Sequence, residues 1–268
     1  MNRRIMNRRI ALTLTSMSCL VLMSFATGFG VRAAAAAELK LLSSGNMRPV
    51  FDRLTAEFER ASSHKLAITY DNAGVIKNRL AASEPFDVAI TQRSFMDELV
   101  KDGKLAAGSI KDVVRSSVVI FVRAGAPKPD IGSVDSFKRS LASAKSIAYS
   151  DPSKGGAAGV HFAGLIERLG LAEQMKSKVK LVNPGTAGET VAKGEAELGV
   201  DQRSVAGPVK GIDIVGPLPK EVGADIVFAA AVPGTAKEAA AANSLVTFLT
   251  SSAAAPAIKA ALLDPTSP

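Results

Sequence analysis

Four short clusters of small residues carry the chemistry that this sequence offers. They read SSGN (Ser43 to Asn46), DNAG (Asp71 to Gly74), SDPSKGGAAG (Ser150 to Gly159) and NPGTAG (Asn183 to Gly188). Each lies where a short apolar run ends and a helical pattern begins. The first N–H groups of a helix have no partners within the helix, and that end carries a positive partial charge. Small residues let an anion approach these groups, so four such junctions facing one cleft could hold an anion without any lysine.

Each cluster also has a simpler interpretation. Gly, Ser and Asn are common in turns and helix caps, and a single junction of this kind is no more than that. The repetition of one design four times is what favours a binding site.

Strands and helices alternate around these clusters. The predicted strands are Leu39 to Leu42, Leu66 to Tyr70, Ser146 to Tyr149 and Val179 to Val182. Apolar residues then recur at helical spacing, with Asn46 placed to cap the first helix, from Met47 to Phe58, at Ile76 and Leu80, and from Val160 to Leu169 before Gly170. Strands alternating with helices predict an α/β fold with a mainly parallel sheet flanked by helices.

Two long apolar runs, Ser116 to Gly125 and Ala224 to Gly234, stand apart from this alternation. We interpret them as strands that cross between two lobes, with the helices from Lys237 to Leu263 returning to the first lobe. The expected boundaries are 38–118 for the first part of lobe 1, 119–231 for lobe 2 and 232–268 for the return. The alternative is one continuous sheet in a single domain.

The first 37 residues have the pattern of a secretory signal. Four arginines without an acid precede an apolar stretch from Ala11 to about Gly28, and small residues follow up to Ala37. We expect cleavage after Ala37 and export to the periplasm; the alternative is a retained anchor helix. Cys19 is the one cysteine in the sequence and lies inside this segment, so the mature chain would have no disulfide.

The charge of the mature chain argues against nucleic acid as a partner. The formal charge of +8 includes five arginines before residue 38, and removing them lowers it to +3. The remaining basic residues are interspersed with acids, and aromatic residues for base stacking are few. The sequence contains two histidines and lacks the G-x-S-x-G, Walker and H-E-x-x-H motifs, so it predicts neither a common catalytic triad nor a metal site.

The order and spacing of these features resemble the periplasmic substrate-binding proteins of ABC importers, and within them the molybdate-binding group. The resemblance runs from about Leu39 to Leu263. It depends on FDRLTAEFER (51–60), EPFDVAIT (84–91), YSDPSKGGAAG (149–159), GLIERLGL (164–171) and GEAELGVDQRS (194–204). It implies a two-lobed fold with two hinge strands, a small anionic ligand between the lobes, a membrane subunit of an importer as partner, a monomeric chain and no cofactor.

The resemblance also implies which residues bind the ligand. Asn46 stands where molybdate binders have a serine, Asn72 to Gly74 where they have further serines, and Gln202 where they have a tyrosine. Amides both donate and accept hydrogen bonds, so these positions suit a carboxylate as well as an oxyanion. The predicted ligand-binding residues are Ser43, Ser44, Gly45, Asn46, Asn72, Ala73, Gly74, Lys154, Ala157, Ala158, Gly185, Thr186 and Gln202.

An enzyme remains an alternative, because the molybdate-binding group includes aconitate isomerase, which moves a proton along an unsaturated tricarboxylate. Such a reaction needs anchors for carboxylates and one group that removes and returns a proton. His161 and Asp201 are the candidates for that group. Lys154 and His161 lie next to the clusters and could also supply charge to a ligand, or be solvated surface groups.

Overall fold

A computed structural model describes residues 36–223 and 225–266. The predicted signal segment therefore lies outside the described residues, apart from Ala36 and Ala37. The strands are β1 (Glu38–Ser44), β2 (Lys65–Asp71), β3 (Val88–Gln92), β4 (Ile110–Arg123), β5 (Ile147–Ser150), β6 (Val179–Val182), β7 (Leu198–Gln202), β8 (Ile212–Pro217), β9 (Asp225–Ala231) and β10 (Asp264–Pro265). The helices are α1 (Arg48–Ser62), α2 (Ala73–Ala81), α3 (Arg93–Lys101), α4 (Val134–Ser143), α5 (Ala157–Arg168), α6 (Ala172–Met175), α7 (Ala187–Ala192), α8 (Arg203–Ala206), α9 (Ala239–Leu249) and α10 (Ala255–Ala260).

The strands form two sheets that share β4. The first sheet has the order β2-β1-β3-β9-β4, with β10 on the far side of β4. The second has the order β6-β5-β7-β4, with β8 on the far side of β4. In both sheets three parallel strands are followed by antiparallel ones. We call each sheet with its helices a lobe, and the predicted two-lobed α/β fold is confirmed.

The strand β4 crosses between the lobes as predicted. Its residues up to Ser117 pair with β9 in the first sheet, and those from Val118 pair with β7 in the second. The strand β9, in contrast, pairs only within the first sheet, with β3 and β4. The second connection between the lobes therefore lies before Asp225, and we propose that lobe 1 resumes there, not at residue 232.

The first helix shows how the amphipathic pattern sets the packing. Val50, Phe51, Leu54 and Phe58 are its buried residues, and the ring of Phe58 lies 5.6 Å from that of Phe248 in α9. Burying a phenylalanine side chain contributes about 2 to 3 kcal/mol to stability. This contact packs α9 against α1, and we propose that the C-terminal helices return to lobe 1.

Asn46 does not cap the first helix, and that prediction is wrong. A 3₁₀ turn over Gly45–Met47 separates β1 from α1, so Met47 occupies the N-cap position and no side chain caps the helix. The side-chain amide of Asn46 is thereby free to point away from its own helix. It donates instead to the side chain of Gln202 in the other lobe.

None of the helices within the described residues has the length and apolar character needed to cross a bilayer. Parallel strands place their carboxyl ends at one edge of a sheet. In each lobe the loops that follow the three parallel strands therefore gather at one edge, and residues from all six of these strand-to-helix loops contact the other lobe or line the space between the lobes.

Candidate functional site

A cavity of about 250 Å³ lies between the two lobes, at the carboxyl ends of the parallel strands. From lobe 1 it is lined by the loops after β1 and β2, and from lobe 2 by the loops after β5, β6 and β7. Its lining comprises Ser44, Gly45, Asn46, Pro49, Asp71, Asn72, Ala73, Ser150, Gly156, Ala157, Ala158, Pro184, Gly185, Asp201, Gln202, Ser204, Val205 and Phe228. All four clusters found in the sequence contribute to it.

Among the described residues, four hydrogen bonds join the loops of the two lobes around this cavity, besides a contact of 3.4 Å between the hydroxyls of Ser116 on β4 and Ser204 on α8. The side-chain amide of Asn46 donates to Gln202 Oε1 at 3.1 Å, and that of Asn72 donates to the carbonyl of Lys154 at 3.3 Å. The backbone N–H of Gly74 donates to the carbonyl of Gly155 at 3.0 Å. The fourth bond runs from Gln92 Nε2 to the carbonyl of Ala157, at 3.2 Å. The structure therefore has the two lobes closed on each other.

Two helices from opposite lobes begin at the cavity without a side-chain cap. These are α2, with Asn72 at its N-cap, and α5, with Gly156 at its N-cap. Helices away from the cavity, such as α9 and α10, also lack a side-chain cap, whereas α4 has a capping box built from Ser133 and Ser136. An uncapped first turn leaves backbone N–H groups available to another acceptor. Apart from the N–H of Gly74, which is bonded to the carbonyl of Gly155, the first turns of the two helices thus offer donors of partial positive charge from both lobes, as an anion requires.

Side-chain charge does not supplement these donors. Among the described residues, the lining includes the carboxylates of Asp71 and Asp201 and no Lys, Arg or His. Asp71 ends β2, and Asp201 is the last residue but one of β7. Each carboxylate accepts a hydrogen bond from the next backbone N–H, at 2.8 Å for Asn72 and 2.8 Å for Gln202. Attraction for an anion in this cavity would therefore come from backbone and side-chain amide groups and not from charged side chains of the lining.

Asp201 is the most unusual of the lining residues. It is 3% exposed, and its Oδ2 has no hydrogen-bond partner among the described residues. Burial raises the pKa of Asp201 from 3.8 to about 7, and the N–H of Gln202 opposes this rise only in part. Removing a carboxylate from water penalises its charged form, which is why the pKa rises. Near neutral pH the carboxyl can therefore accept a proton or give one up.

Three further buried oxygens around the cavity lack a hydrogen-bond partner among the described residues: Ser44 Oγ, Asn46 Oδ1 and Gln92 Oε1. Ser44 and Asn46 line the cavity, and Gln92 contacts Ala157, which lines it. Buried polar atoms in folded proteins are nearly always paired, and exceptions cluster at functional sites. These atoms mark the cavity as a polar binding site.

Nine of the thirteen predicted ligand-binding residues line the cavity, and four do not. Ser43 points the other way along β1, and its hydroxyl donates to the carbonyl of Ser44 at 3.3 Å. Lys154 reaches Asn183 Oδ1 at 2.6 Å, and the Thr186 hydroxyl donates to the carbonyl of Asn183 at 2.8 Å. Gly74 lies against Gly155, where its N–H is already used.

Of the two proposed proton-transfer groups, the structure places only Asp201 at the cavity. His161 lies outside the lining, with Nε2 2.7 Å from the carbonyl oxygen of Gly223. Burial lowers the pKa of His161, and the bond to Gly223 acts in the opposite direction. A neutral ring held against a backbone carbonyl is best explained as part of the packing between α5 and the segment before β9.

Reasoning from the sequence missed Gln92, which contacts lobe 2 although it belongs to lobe 1. A short internal repeat could have revealed it: TQRS (91–94) ends β3 and begins α3, just as DQRS (201–204) ends β7 and begins α8. Both glutamines occupy N-cap positions and both reach a loop of the opposite lobe. Asp71, Ser150 and Ser204 were also missed: Asp71 and Ser150 end β2 and β5, and Ser204 lies two residues beyond the predicted Gln202.

A second and larger cavity, of about 510 Å³, lies on lobe 1 between the beginning of β4, the end of β9 and α9. None of the four clusters reaches it, and its lining includes no residue of lobe 2. The interlobe cavity is the better candidate because it combines helix N-termini from both lobes with buried unpaired oxygens. Within the described residues, no group of three or more His, Cys, Asp or Glu side chains could hold a metal ion.

Comparison with known proteins agrees with this geometry. The chain is 36% identical over 233 residues to an aconitate isomerase from Pseudomonas sp, covering 85% of this chain and 87% of that protein. It is 30% identical over 173 residues to the molybdate-binding protein ModA from Azotobacter vinelandii, covering 62% and 65% of the two chains. The tungstate-binding protein TupA from Desulfovibrio alaskensis G20 has the same fold, with a TM-score of 0.70 at 13% identity over 87% of this chain and 100% of that one.

The predicted kinship with molybdate-binding proteins is thus confirmed. Residues 39–261, which include both lobes and every residue of the cavity, match one family along their whole length. The chain belongs to the bacterial extracellular solute-binding proteins.

Proposed function

We propose that this protein binds a small organic anion in the interlobe cavity, in the periplasm, and delivers it as a monomer to the membrane subunit of an ABC importer. The observation that carries the proposal is the pair of uncapped helices, α2 and α5, which begin at one cavity from opposite lobes. A ligand that contacts both lobes at once stabilises the closed form, because it has a higher affinity for that form.

The cavity favours a carboxylate over a bare tetrahedral oxyanion. Taking about 30 Å³ per water-sized group, an oxyanion with four oxygens needs roughly 120 Å³. The cavity offers about 250 Å³. Amides at Asn46, Asn72 and Gln202 can donate to a carboxylate and accept from a hydroxyl of the same ligand.

A ligand panel tests this proposal. Thermal unfolding would be followed with molybdate, tungstate, sulfate, phosphate, citrate, tricarballylate and the two aconitate isomers. A ligand at a hundred times its Kd should stabilise the protein by about 2.7 kcal/mol. We expect one or more of the carboxylates to stabilise the protein by this amount, and the oxyanions to stabilise it less. If none of the carboxylates raises the unfolding temperature of the properly folded protein, the proposal is wrong, even if an oxyanion does.

An isomerase is the second candidate function, and two observations favour it. The relative at 36% identity is an aconitate isomerase. Asp201 is buried at the cavity with a free carboxylate oxygen and a pKa raised to about 7. A general base is most effective when its pKa lies near the working pH. In this role Asp201 would remove a proton from the carbon next to the double bond and return it to the far alkene carbon as the double bond shifts.

Incubation of the purified protein with each aconitate isomer in deuterated water separates the two functions. A receptor leaves the isomer ratio fixed, while an isomerase brings both samples to one ratio and incorporates deuterium at the allylic carbon. The Asp201→Asn variant should then lose turnover and still bind tricarballylate, because binding needs anchors while turnover also needs a base. His161→Ala serves as the matched control, since His161 lies outside the cavity lining.

A further inference from the structure

The position equivalent to Asp201 in the other lobe holds a residue that cannot ionise. Thr91 takes the place of Asp201 in the TQRS repeat, at the end of β3. It is fully buried, and its hydroxyl donates to the carbonyl of Ala73 at 3.0 Å. Asp201 lines the cavity and accepts from the N–H of Gln202 through Oδ1, while its buried Oδ2 has no hydrogen-bond partner among the described residues.

An unpaired carboxylate oxygen in a buried site sets a condition on what can bind there. A fully deprotonated anion presents only acceptors, and two acceptors in contact repel each other. A hydroxyl group donates to the carboxylate and satisfies it, and such charge-assisted hydrogen bonds are the stronger kind. Asn46 Oδ1 and Gln92 Oε1, also buried and unpaired, present further acceptors near the same cavity.

We infer that Asp201 is a specificity-determining residue that selects an organic acid carrying an O–H donor and rejects anions that have only acceptors. In this arrangement the carboxylate end of the ligand lies toward the first turns of α2 and α5, and the O–H lies toward the end of β7. The inference rests on the proposed function, since it assumes that an anion binds in this cavity.

Charged side chains nearby do not account for the raised pKa of Asp201. Asp71 is the other titratable group in the lining. The elements packed against β7 carry Tyr149 on β5, His161, Glu167 and Arg168 on α5, Glu189 on α7, Arg203 on α8 and Arg123 on β4. None of these groups contributes to the raised pKa of Asp201, which comes from burial. The requirement for an O–H donor on the ligand therefore arises from the carboxyl group of Asp201.

Matched acids that differ by a single hydroxyl test the inference. Citrate is compared with tricarballylate, and malate with succinate, by calorimetric titration at about pH 8, where the carboxyl groups of all four are ionised. The comparison is made with whichever of these two pairs of acids binds more tightly. We expect the hydroxy acid to bind about tenfold more tightly than its partner, the difference made by one satisfied charged hydrogen bond. In Asp201→Asn the difference should fall to about twofold or less, because an amide can accept from a hydroxyl or donate to a carboxylate.

Titrations at a second pH test whether the donor to Asp201 is a hydroxyl group or a protonated carboxyl group. At about pH 5 Asp201 is itself protonated and tricarballylate is partly so, and either proton can complete the contact. The tenfold preference should therefore disappear in the parent at this pH. This comparison uses the parent alone and stands even if Asp201→Asn fails to fold. Asp102→Asn, an exposed site at the end of α3, is the control substitution.

The possible failures are distinguishable. Equal affinity for both acids of a pair in the parent at about pH 8 would overturn the inference and leave the proposed function standing. The full preference retained in a folded Asp201→Asn would do the same. Failure of all four acids to bind at either pH would instead overturn the proposed function and the inference with it, whether or not molybdate binds.

Discussion

The repeats TQRS and DQRS place the same backbone in the two lobes and fill one position differently. In lobe 1, Thr91 forms its hydrogen bond within the lobe, to the carbonyl of Ala73. In lobe 2, Asp201 leaves Oδ2 unpaired at the cavity, and burial raises its pKa to about 7. The threonine hydroxyl is satisfied within its own lobe. Burial of the aspartate instead destabilises the folded state unless a ligand or a proton satisfies the carboxylate.

The glutamines of the two repeats differ in a similar way. Gln92 donates to a backbone carbonyl of lobe 2, that of Ala157. Gln202 accepts from the side chain of Asn46 in lobe 1, and both of these residues line the cavity. Gln92 therefore acts mainly to hold the lobes together, while Gln202 belongs to the binding surface. Lobe 2 supplies the chemically distinctive groups, and lobe 1 closes over them.

The largest expected effect comes from Asp201→Asn on the stability of the ligand-free protein. In the folded state the pKa of Asp201 is about 7 and its ordinary value is 3.8. Between these values the folded state holds more protons than the unfolded state, so the stability of the parent falls as pH rises through this window. The neutral variant escapes this loss. It should be more stable than the parent by an amount on the order of a few kcal/mol at about pH 8, and equally stable near pH 4.

Urea unfolding of both proteins at several pH values measures this difference. A difference in stability that is the same at every pH would mean that Asp201 does not titrate in this window, and that its buried carboxyl is satisfied in some other way.

The second effect separates the two glutamines. Gln202→Leu removes a polar contact from the cavity and leaves the amide of Asn46 without its partner, so the affinity for the best anion of the panel should fall about thirtyfold or more. Gln92→Leu removes only a bond between the lobes, and the affinity should fall about fivefold. Calorimetric titration of both variants measures these two losses of affinity. Equal losses would remove the distinction between a binding lobe and a closing lobe.

The strand-to-helix junctions of the cavity were predictable from the sequence because each is local. A strand, a cluster of small residues and an amphipathic helix follow one another within about twenty residues, as in β1, Ser43 to Asn46 and α1. The contacts between the lobes were not predictable in this way. Asn46 and Gln202 lie 156 residues apart, and their meeting depends on how the two sheets close around β4.

Side-chain direction within the clusters was also beyond sequence reasoning. Alternation along β1 turns Ser44 toward the cavity and Ser43 away from it. Lys154 is in the right loop, yet it bonds to Asn183. Proximity in the chain identified the loops correctly and could not say which of their side chains face the ligand.

The third effect concerns the contact between Gly74 and Gly155, on which lobe closure depends. A methyl group at Gly74 would lie 2.7 Å from the Cα of Gly155, and both atoms belong to the backbone or are fixed to it. Gly74→Ala should therefore hold the lobes apart and lower the affinity for the same anion about tenfold, with little change in unfolding free energy. Gly108→Ala is the matched control, since nothing lies within 4 Å of a methyl group there. An unchanged affinity would mean that the closed contact is not needed for binding.

The smallest effect is that of Thr91→Val, which tests the other side of the comparison. It removes the hydrogen bond to Ala73 and leaves a buried carbonyl without that donor, so unfolding should become easier by about 1 kcal/mol. Because threonine does not titrate, this loss should be the same at every pH, whereas the gain in stability from Asp201→Asn should vary with pH. A loss that varies with pH would show that the two positions are coupled through the cavity.

Hydrogen exchange with and without the best anion of the panel tests the central claim most directly, that a small anion is held between the lobes by backbone N–H groups from both. We predict slower exchange in Asn72 to Val75 of lobe 1 and in Gly156 to Gly159 of lobe 2 at the same ligand concentration. The capped helix α4 (Val134–Ser143) and the second cavity at Gly108 to Lys111 should be unchanged. Protection confined to one lobe, or found at the second cavity instead, would contradict the account.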